Sequence, residues 1–364
     1  MSLEQLVKPW VRSLRPYEPG KPVEELEREL GIQGSVKLAS NENALGPSPR
    51  ALAALREAVA GVHRYPDGHA FALRRKLSER LGVAENALVL GNGADELLEL
   101  IAKTLVGPGD EVVYPWPSFA MYPIVVRGMG GKPVPVPLDA DLQHDFDGLL
   151  RAITGRTKVV MLCNPNNPTG TTFGAEAFDD FVRRLPGDVV LAVDEVYFEY
   201  ARRDDFPDTT AWIARRPGTI ALRSLSKIYG LAGLRVGYGI TDPEFAGYLE
   251  RVRHPFNLNL LAQAAAVAAL DDDEHLERSR QLALDGIAYL TRELGSMGIE
   301  VVPSEANFVL VRAGADVYEP LLREGVIVRP MAGFGLAEYV RVTVGLPEEN
   351  ERLVKALRRL QENA

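Results

Sequence analysis

The stretch Ser224-Leu225-Ser226-Lys227-Ile228-Tyr229-Gly230-Leu231-Ala232-Gly233-Leu234-Arg235-Val236-Gly237 decides how this chain is read. It begins where the apolar run TIALRS (219–224) ends, and it sets a lysine among hydroxyls and glycines with an arginine eight residues on. In open α/β sheets, ligands bind outside the carboxyl ends of the strands. Ser224, Ser226 and Arg235 can offer hydrogen bonds and positive charge to a phosphate, and a lysine of lowered pKa beside them can attack an aldehyde. Taken alone, a solvated polar loop would carry the same residues.

The flanking sequence supplies the frame. From about residue 35 to 245, short β-rich runs alternate with longer helical patterns, as in βαβ units around a mostly parallel sheet. The expected strands are ALVLG (87–91), EVVYP (111–115), KVVMLC (158–163), VVLAVDE (189–195), TIALRS (219–224) and LRVGYGI (234–240). Their continuous apolar character suits strands covered on both faces. Ser48-Pro49 is a cap followed by a first-turn proline, and ADELLELIAKTLVG and GAEAFDDFVRRLPG end near glycines, so helices fill the gaps. After Pro255 come an alanine-rich helix, a long charged amphipathic helix (271–298), the strand candidates IEVVP, ANFVLVRA, VIVRPM and YVRVTVG, and a terminal helix from 348 to 361. The expectation is an α/β protein with a mostly parallel central sheet, helices on both of its faces, and a smaller α+β domain. Residues 1–34 read as an N-terminal arm packing on the small domain, 35–255 as the large domain, and 256–364 as the small C-terminal domain.

Composition excludes several classes. A chain of 364 residues exceeds what one core usually supports. Its 41 Lys and Arg against 50 Asp and Glu give 41 − 50 = −9, so no nucleic-acid or anionic-membrane partner is expected and any bound anion needs local cations. The single cysteine, Cys163, cannot form an internal disulfide, which fits a reducing cytoplasm. The N-terminus has scattered charges and no uninterrupted apolar stretch, and LAQAAAVAAL (261–270) is too short to span a bilayer. No metal site is expected.

The lysine segment resembles that of the fold-type I pyridoxal-5′-phosphate (PLP) enzymes of the aspartate aminotransferase superfamily. Asn164-Pro165-Asn166-Asn167-Pro168-Thr169-Gly170 is similar to that superfamily's asparagine loop, and Val193-Asp194-Glu195-Val196-Tyr197 to its aspartate and tyrosine strand end. The resemblance covers essentially the whole chain. It implies that PLP is the cofactor and that Lys227 holds it covalently through its aldehyde. It also implies that Asp194 keeps the ring nitrogen protonated so that the ring accepts electrons, and that Tyr197 and Asn167 hydrogen-bond the ring oxygen. Gly91-Asn92-Gly93-Ala94-Asp95-Glu96 resembles the cofactor-phosphate turn, with Gly93, Ala94 and Asp95 at a helix N-terminus suited to an anion. Phe119 matches the aromatic that stacks on the ring.

Arg15-Pro16-Tyr17-Glu18-Pro19-Gly20, Ser40-Asn41-Glu42-Asn43 and Arg64-Tyr65-Pro66-Asp67 resemble the opening motifs of the histidinol-phosphate aminotransferase family. That likeness implies transamination of histidinol phosphate with 2-oxoglutarate, giving glutamate, in histidine biosynthesis. Tyr17, Asn167, Arg329 and Arg341 are then the substrate-binding residues, with Arg341 matching the superfamily arginine that clamps the α-carboxylate of amino-acid substrates in a bidentate pair and the phosphate of histidinol phosphate using the same cationic site. Tyr65 is implied to reach the cofactor phosphate of a neighbouring subunit in a homodimer with shared sites. Transfer from aromatic amino acids, decarboxylation of threonine phosphate, and a non-catalytic PLP-binding protein remain the alternative readings of these motifs.

Overall fold

The structure, a computed structural model, describes residues 2–14, 16 and 19–363. Seven strands form the central sheet: β1 (Leu88–Asn92), β2 (Glu111–Trp116), β3 (Lys132–Pro137), β4 (Thr157–Cys163), β5 (Val190–Asp194), β6 (Thr219–Ser224) and β7 (Val236–Ile240). Their order is β1-β7-β6-β5-β4-β2-β3. β7 alone runs against its neighbours, so the other six end on one edge of the sheet.

The strands read as unbroken apolar runs because both faces are covered. Met161, Ala192 and Leu222 pack with the helices Ala94–Leu105, Met121–Gly128 and Pro243–Val252 on one side. Their alternating neighbours Val160, Leu162, Leu191 and Val193 pack against Phe178, Phe181 and Leu149 of the helices Ala175–Arg184 and Phe146–Ala152 on the other. Truncating one such fully buried leucine to alanine costs about 2 to 5 kcal/mol.

One strand escaped the sequence reading. Lys132–Pro137 is KPVPVP, and three prolines argue against a sheet interior. It is the edge strand beyond β2, with the Lys132 N–H on Asp110 O. Alternation then puts Pro133, Pro135 and Pro137 on the outer side, where no donor is required.

The smaller sheet is antiparallel, β10-β11-β9-β8, from β8 (Glu300–Val302), β9 (Phe308–Arg312), β10 (Arg329–Pro330) and β11 (Tyr339–Thr343). Val309, Val311, Val340 and Val342 face the helices Asp273–Ser296 and Pro347–Glu362, which leaves Leu310 and Arg341 on the opposite face. The run VIVRPM, expected as one strand, is two: Val326–Ile327 pairs in parallel with Val36–Lys37, and Arg329–Pro330 joins β11. Pro330 has no N–H, so this segment takes the open edge of the small sheet.

The N-terminal segment divides its packing. Leu26 of the Val23–Leu30 helix is buried with Leu322 and Ile327, whereas the Trp10 indole N–H bonds Gly128 O of the helix beside the central sheet. Leu260–Ala269 buries its alanines among Leu73, Leu77 and Ala51. No helix among the described residues is long and apolar enough to cross a membrane.

Candidate functional site

A cavity of about 270 Å³ opens at the carboxyl edge of the central sheet, under the arginine-bearing face of the small sheet. Its floor comes from strand ends. β4 leads into Asn167, β5 ends at Asp194 with Tyr197 in the following turn, and β6 ends at Ser224 and runs into Ser226 and Lys227. Ala94 and Asp95, the first two residues of the helix after β1, line the same space, as do Phe119, Arg235, Arg329 and Arg341.

Close approach at one corner depends on glycine. Gly93 caps the Ala94–Leu105 helix at φ +77°, and a Cβ there would lie 2.3 Å from Arg235 Nη2. A Cβ at Gly237 would lie 2.4 Å from the Ala94 nitrogen. With both absent, the Arg235 guanidinium folds over the helix N-terminus, donating to Ser226 Oγ at 3.2 Å and pairing with Asp95 Oδ2 at 3.0 Å. The Ser226 N–H bonds Ser224 Oγ at 3.1 Å. The Ser226 hydroxyl, a guanidinium and the first-turn N–H groups converge there, a donor set suited to a phosphate, while the Ser224 hydroxyl donates to Val236 O at 3.2 Å.

The opposite corner holds Asp194. Tyr122 donates to its Oδ2 at 3.0 Å and the Val196 N–H to its Oδ1 at 3.2 Å. Burial outweighs both bonds and pushes the carboxyl up to about 7. Such a carboxylate, in a dry corner, is matched to a cationic ring nitrogen. Lys227 is lowered to about 8, first by burial and then by the Arg341 charge, against an opposing pull from Asp95. A substantial share of this amine is therefore neutral near physiological pH and nucleophilic toward an aldehyde. Its Nζ donates to Ser40 O at 3.3 Å.

The asparagine loop is held by its own network. Ser118 Oγ donates to Asn166 Oδ1 at 2.8 Å, and Asn166 Nδ2 reaches Thr169 Oγ1 and Pro117 O, tying the loop to the residues next to Phe119. Asn167 Oδ1 accepts from Arg341 Nη1 at 2.5 Å, and Arg341 Nη2 donates to Ala39 O at 2.7 Å. Arg329 and Arg341 are direct partners across the antiparallel ladder, so both side chains leave the same face and enter the cavity.

One expected residue stands apart. Tyr65 is 82% exposed, in a separate surface groove, stacked on Phe256 at 4.7 Å between ring centroids. Tyr17 lies outside the described residues. Gly93 serves through its lack of a side chain. Sequence reasoning missed Tyr122, which lies 72 residues from the carboxylate it bonds. It also gave no chemical role to Ser40 and Asn41. Cys163 lines the cavity, but burial raises its thiol well above the usual range and its Sγ–H points to Pro165 O, so it is no thiolate nucleophile.

This geometry is that of a known group. The family aminotransferase class I and II matches residues 33–357, and fold and site alike define an enzyme of that class. The histidinol-phosphate aminotransferase 1 of Nitrosococcus oceani is 48% identical over 97% of this chain and 96% of its own length. The histidinol-phosphate aminotransferase of Anaeromyxobacter sp. is 48% identical over 98% of this chain and 99% of its own. The crystal structure of the Sinorhizobium meliloti histidinol-phosphate aminotransferase, in complex with pyridoxal-5′-phosphate, superposes with a TM-score of 0.89 at 30% identity, covering 97% of this chain and 98% of that one. The chain belongs to the histidinol-phosphate aminotransferase family.

Proposed function

We propose that the protein is a PLP-dependent transaminase that exchanges amino groups between histidinol phosphate and 2-oxoglutarate, giving imidazole acetol phosphate and glutamate in histidine biosynthesis. The observation that carries the substrate is the pairing of Arg329 with Arg341 across one ladder, facing the cavity that holds Lys227 and Asp194. Two fixed guanidiniums suit a phosphate ester in one half-reaction and the carboxylates of glutamate in the other. In a chain of net charge −9 they supply the local attraction that the overall field does not.

When bound, PLP supplies an aldehyde that takes up the amino group and an electron-poor ring that draws electrons from the α-carbon. Ser224, Ser226, Arg235 and the N–H groups at Ala94 and Asp95 would hold its phosphate. Asp194 would keep a proton on its ring nitrogen, Tyr197 and Asn167 would donate to its ring oxygen, and Phe119 would pack against the ring. Lys227 would hold the cofactor through its aldehyde and, as a neutral amine, would carry the proton to and from the substrate α-carbon. Arg341, bonded to Asn167, places the substrate anion relative to that amine.

A homodimer with shared sites is part of this reading. Tyr65 is exposed, braced by Phe256, and outside its own cavity, as suits a residue serving the partner's cofactor phosphate. Combining inactive Tyr65→Ala and Lys227→Ala chains should restore one site per mixed dimer; no recovery despite subunit exchange would count against sharing. The lone buried thiol suits the cytoplasm.

The deciding experiment is a donor panel of histidinol phosphate, phenylalanine, tyrosine and threonine phosphate with 2-oxoglutarate as acceptor. Histidinol phosphate should have the highest kcat/KM. A tenfold preference for a free aromatic amino acid would overturn the substrate assignment and leave the PLP chemistry intact.

A further inference from the structure

Three consecutive residues, Ala39 to Asn41, touch three different functional groups. Ala39 O accepts from Arg341 Nη2 at 2.7 Å, Ser40 O accepts from Lys227 Nζ at 3.3 Å, and Asn41 Nδ2 donates to the Tyr197 hydroxyl at 2.8 Å. Asn41 is the most constrained of them. It is 1% exposed with φ +55°, a left-handed conformation that asparagine tolerates better than most residues. Its backbone N–H bonds Thr343 Oγ1 at 2.8 Å, and its C=O accepts from Asn307 Nδ2 at 3.2 Å.

These bonds orient its amide. The Thr343 hydroxyl has a single proton. That oxygen accepts from the Asn41 N–H, and its proton goes to Asn41 Oδ1 at 3.0 Å, which turns Nδ2 toward Tyr197. A phenol also has one proton to give. With Asn41 donating into the Tyr197 oxygen, the Tyr197 proton is left for an acceptor on the cavity side, where this residue forms part of the wall. The groups facing Tyr197 from its surroundings are Lys227, whose Nζ is 5.7 Å from the ring centroid, Arg341, Asp194 and Cys163, with Phe308 edge-on at 5.2 Å.

We propose that Asn41 is a positioning residue: by donating to the Tyr197 oxygen and being held by Thr343, it keeps the Tyr197 proton directed at the ring oxygen of the bound cofactor. This rests on the reading of Tyr197 as a donor to that oxygen. Thr343 lies two residues from Arg341 on β11, so the same amide also ties the cofactor side of the cavity to the strand carrying the substrate-binding arginine.

The test is the pH titration of the bound cofactor's visible absorption, without substrate. A donor at the ring oxygen stabilises the form with negative charge there, so losing it moves the midpoint to higher pH. Asn41→Gly, which accepts φ +55° without strain, should raise the midpoint by roughly 0.5 to 1 pH unit. Asn41→Asp, which offers an acceptor that captures the Tyr197 proton, should raise it further, toward the value of Tyr197→Phe. In a Tyr197→Phe background Asn41→Gly should add nothing. Thr343→Val should give a smaller rise and Thr343→Ser the wild-type midpoint. Unchanged midpoints in both Asn41 variants, or an equal rise in the Tyr197→Phe background, would overturn the proposal. If the Asn41 variants fail to retain cofactor, equal midpoints for Thr343→Val and Thr343→Ser overturn it instead. A wild-type midpoint in Tyr197→Phe itself removes the underlying reading of Tyr197, and the proposal with it.

Discussion

Glu111 and Asp194 are both buried carboxylates of the central sheet, at opposite ends of its strands, and their surroundings differ completely. Glu111 opens β2 and is surrounded by donors: Thr154 Oγ1 at 2.6 Å, Arg156 Nη2 at 2.8 Å and Lys132 Nζ at 3.2 Å. The Thr154 bond and then the Arg156 contacts hold it at about 2. Asp194 closes β5 and, among the described residues, has the Tyr122 hydroxyl and the Val196 N–H as donors and no ion-pair partner within 4.0 Å. Burial lifts it to about 7. One end of the sheet satisfies its charges and contributes to folding. The other holds charged groups in a dry pocket at a cost to stability, the arrangement expected where chemistry is done.

The contrast is sharpest at Lys227. Lys227→Ala should lower kcat by about 10⁴-fold or more, since it removes the proposed covalent anchor and proton carrier, while its apoprotein should melt no lower than wild type. Normal turnover without an added amine would break the assignment of this edge as the catalytic one.

Asp194→Asn comes next, with kcat/KM down by roughly 10²- to 10³-fold. Its stability should depart from wild type in a defined direction. A carboxyl raised from 3.8 to about 7 on folding contributes no penalty below pH 3.8 and progressively destabilises the folded apoprotein as pH rises toward 7. The melting temperature of apo Asp194→Asn should therefore gain on wild type between about pH 4 and pH 7, and the gain should shrink when the cofactor is restored to wild type. Parallel melting curves across that range would show that Asp194 is not a stored cost.

Arg341→Lys keeps the charge and loses the fork that meets Asn167 and Ala39. Losing a charged hydrogen-bond partner costs about 1.5 to 3 kcal/mol, so kcat/KM should fall roughly 10- to 150-fold for both half-reactions. Arg329→Ala should weaken use of histidinol phosphate more than use of glutamate; the reverse ranking would exchange the roles of the two arginines.

The smallest expected effect lies at the other end. Glu111→Gln should leave kcat/KM unchanged and lower the melting temperature by a few degrees at pH 7. A carboxyl depressed from 4.5 to about 2 contributes stability above pH 4.5 that is lost as pH falls toward 2, so the two proteins should converge over that window. A loss of activity in Glu111→Gln would break the division between the two ends.

Much of this was open to reading in the residue string. Six of the seven central strands announce themselves as apolar runs because both faces are buried, and the Lys227 segment carries its chemistry within fourteen adjacent residues. KPVPVP was invisible as a strand because proline content speaks against pairing unless the strand is known to lie at an edge. VIVRPM looked continuous because its division between two sheets is decided by partners 290 and 12 residues away, Val36 and Arg341.

Local sequence alone settled the alternation of strands and helices, the lysine with its hydroxyls, the glycine turn, the lack of an internal disulfide, and the net negative charge. These depend on neighbours in the chain, through backbone propensity, capping and charge balance. The folded chain decided the rest: that Arg329 faces Arg341, that Tyr122 meets Asp194 across 72 residues, that Asn41 reaches Tyr197 across 156, and how far each buried group shifts. Those are matters of distance and desolvation, which arise only when segments remote in sequence share one dry cavity.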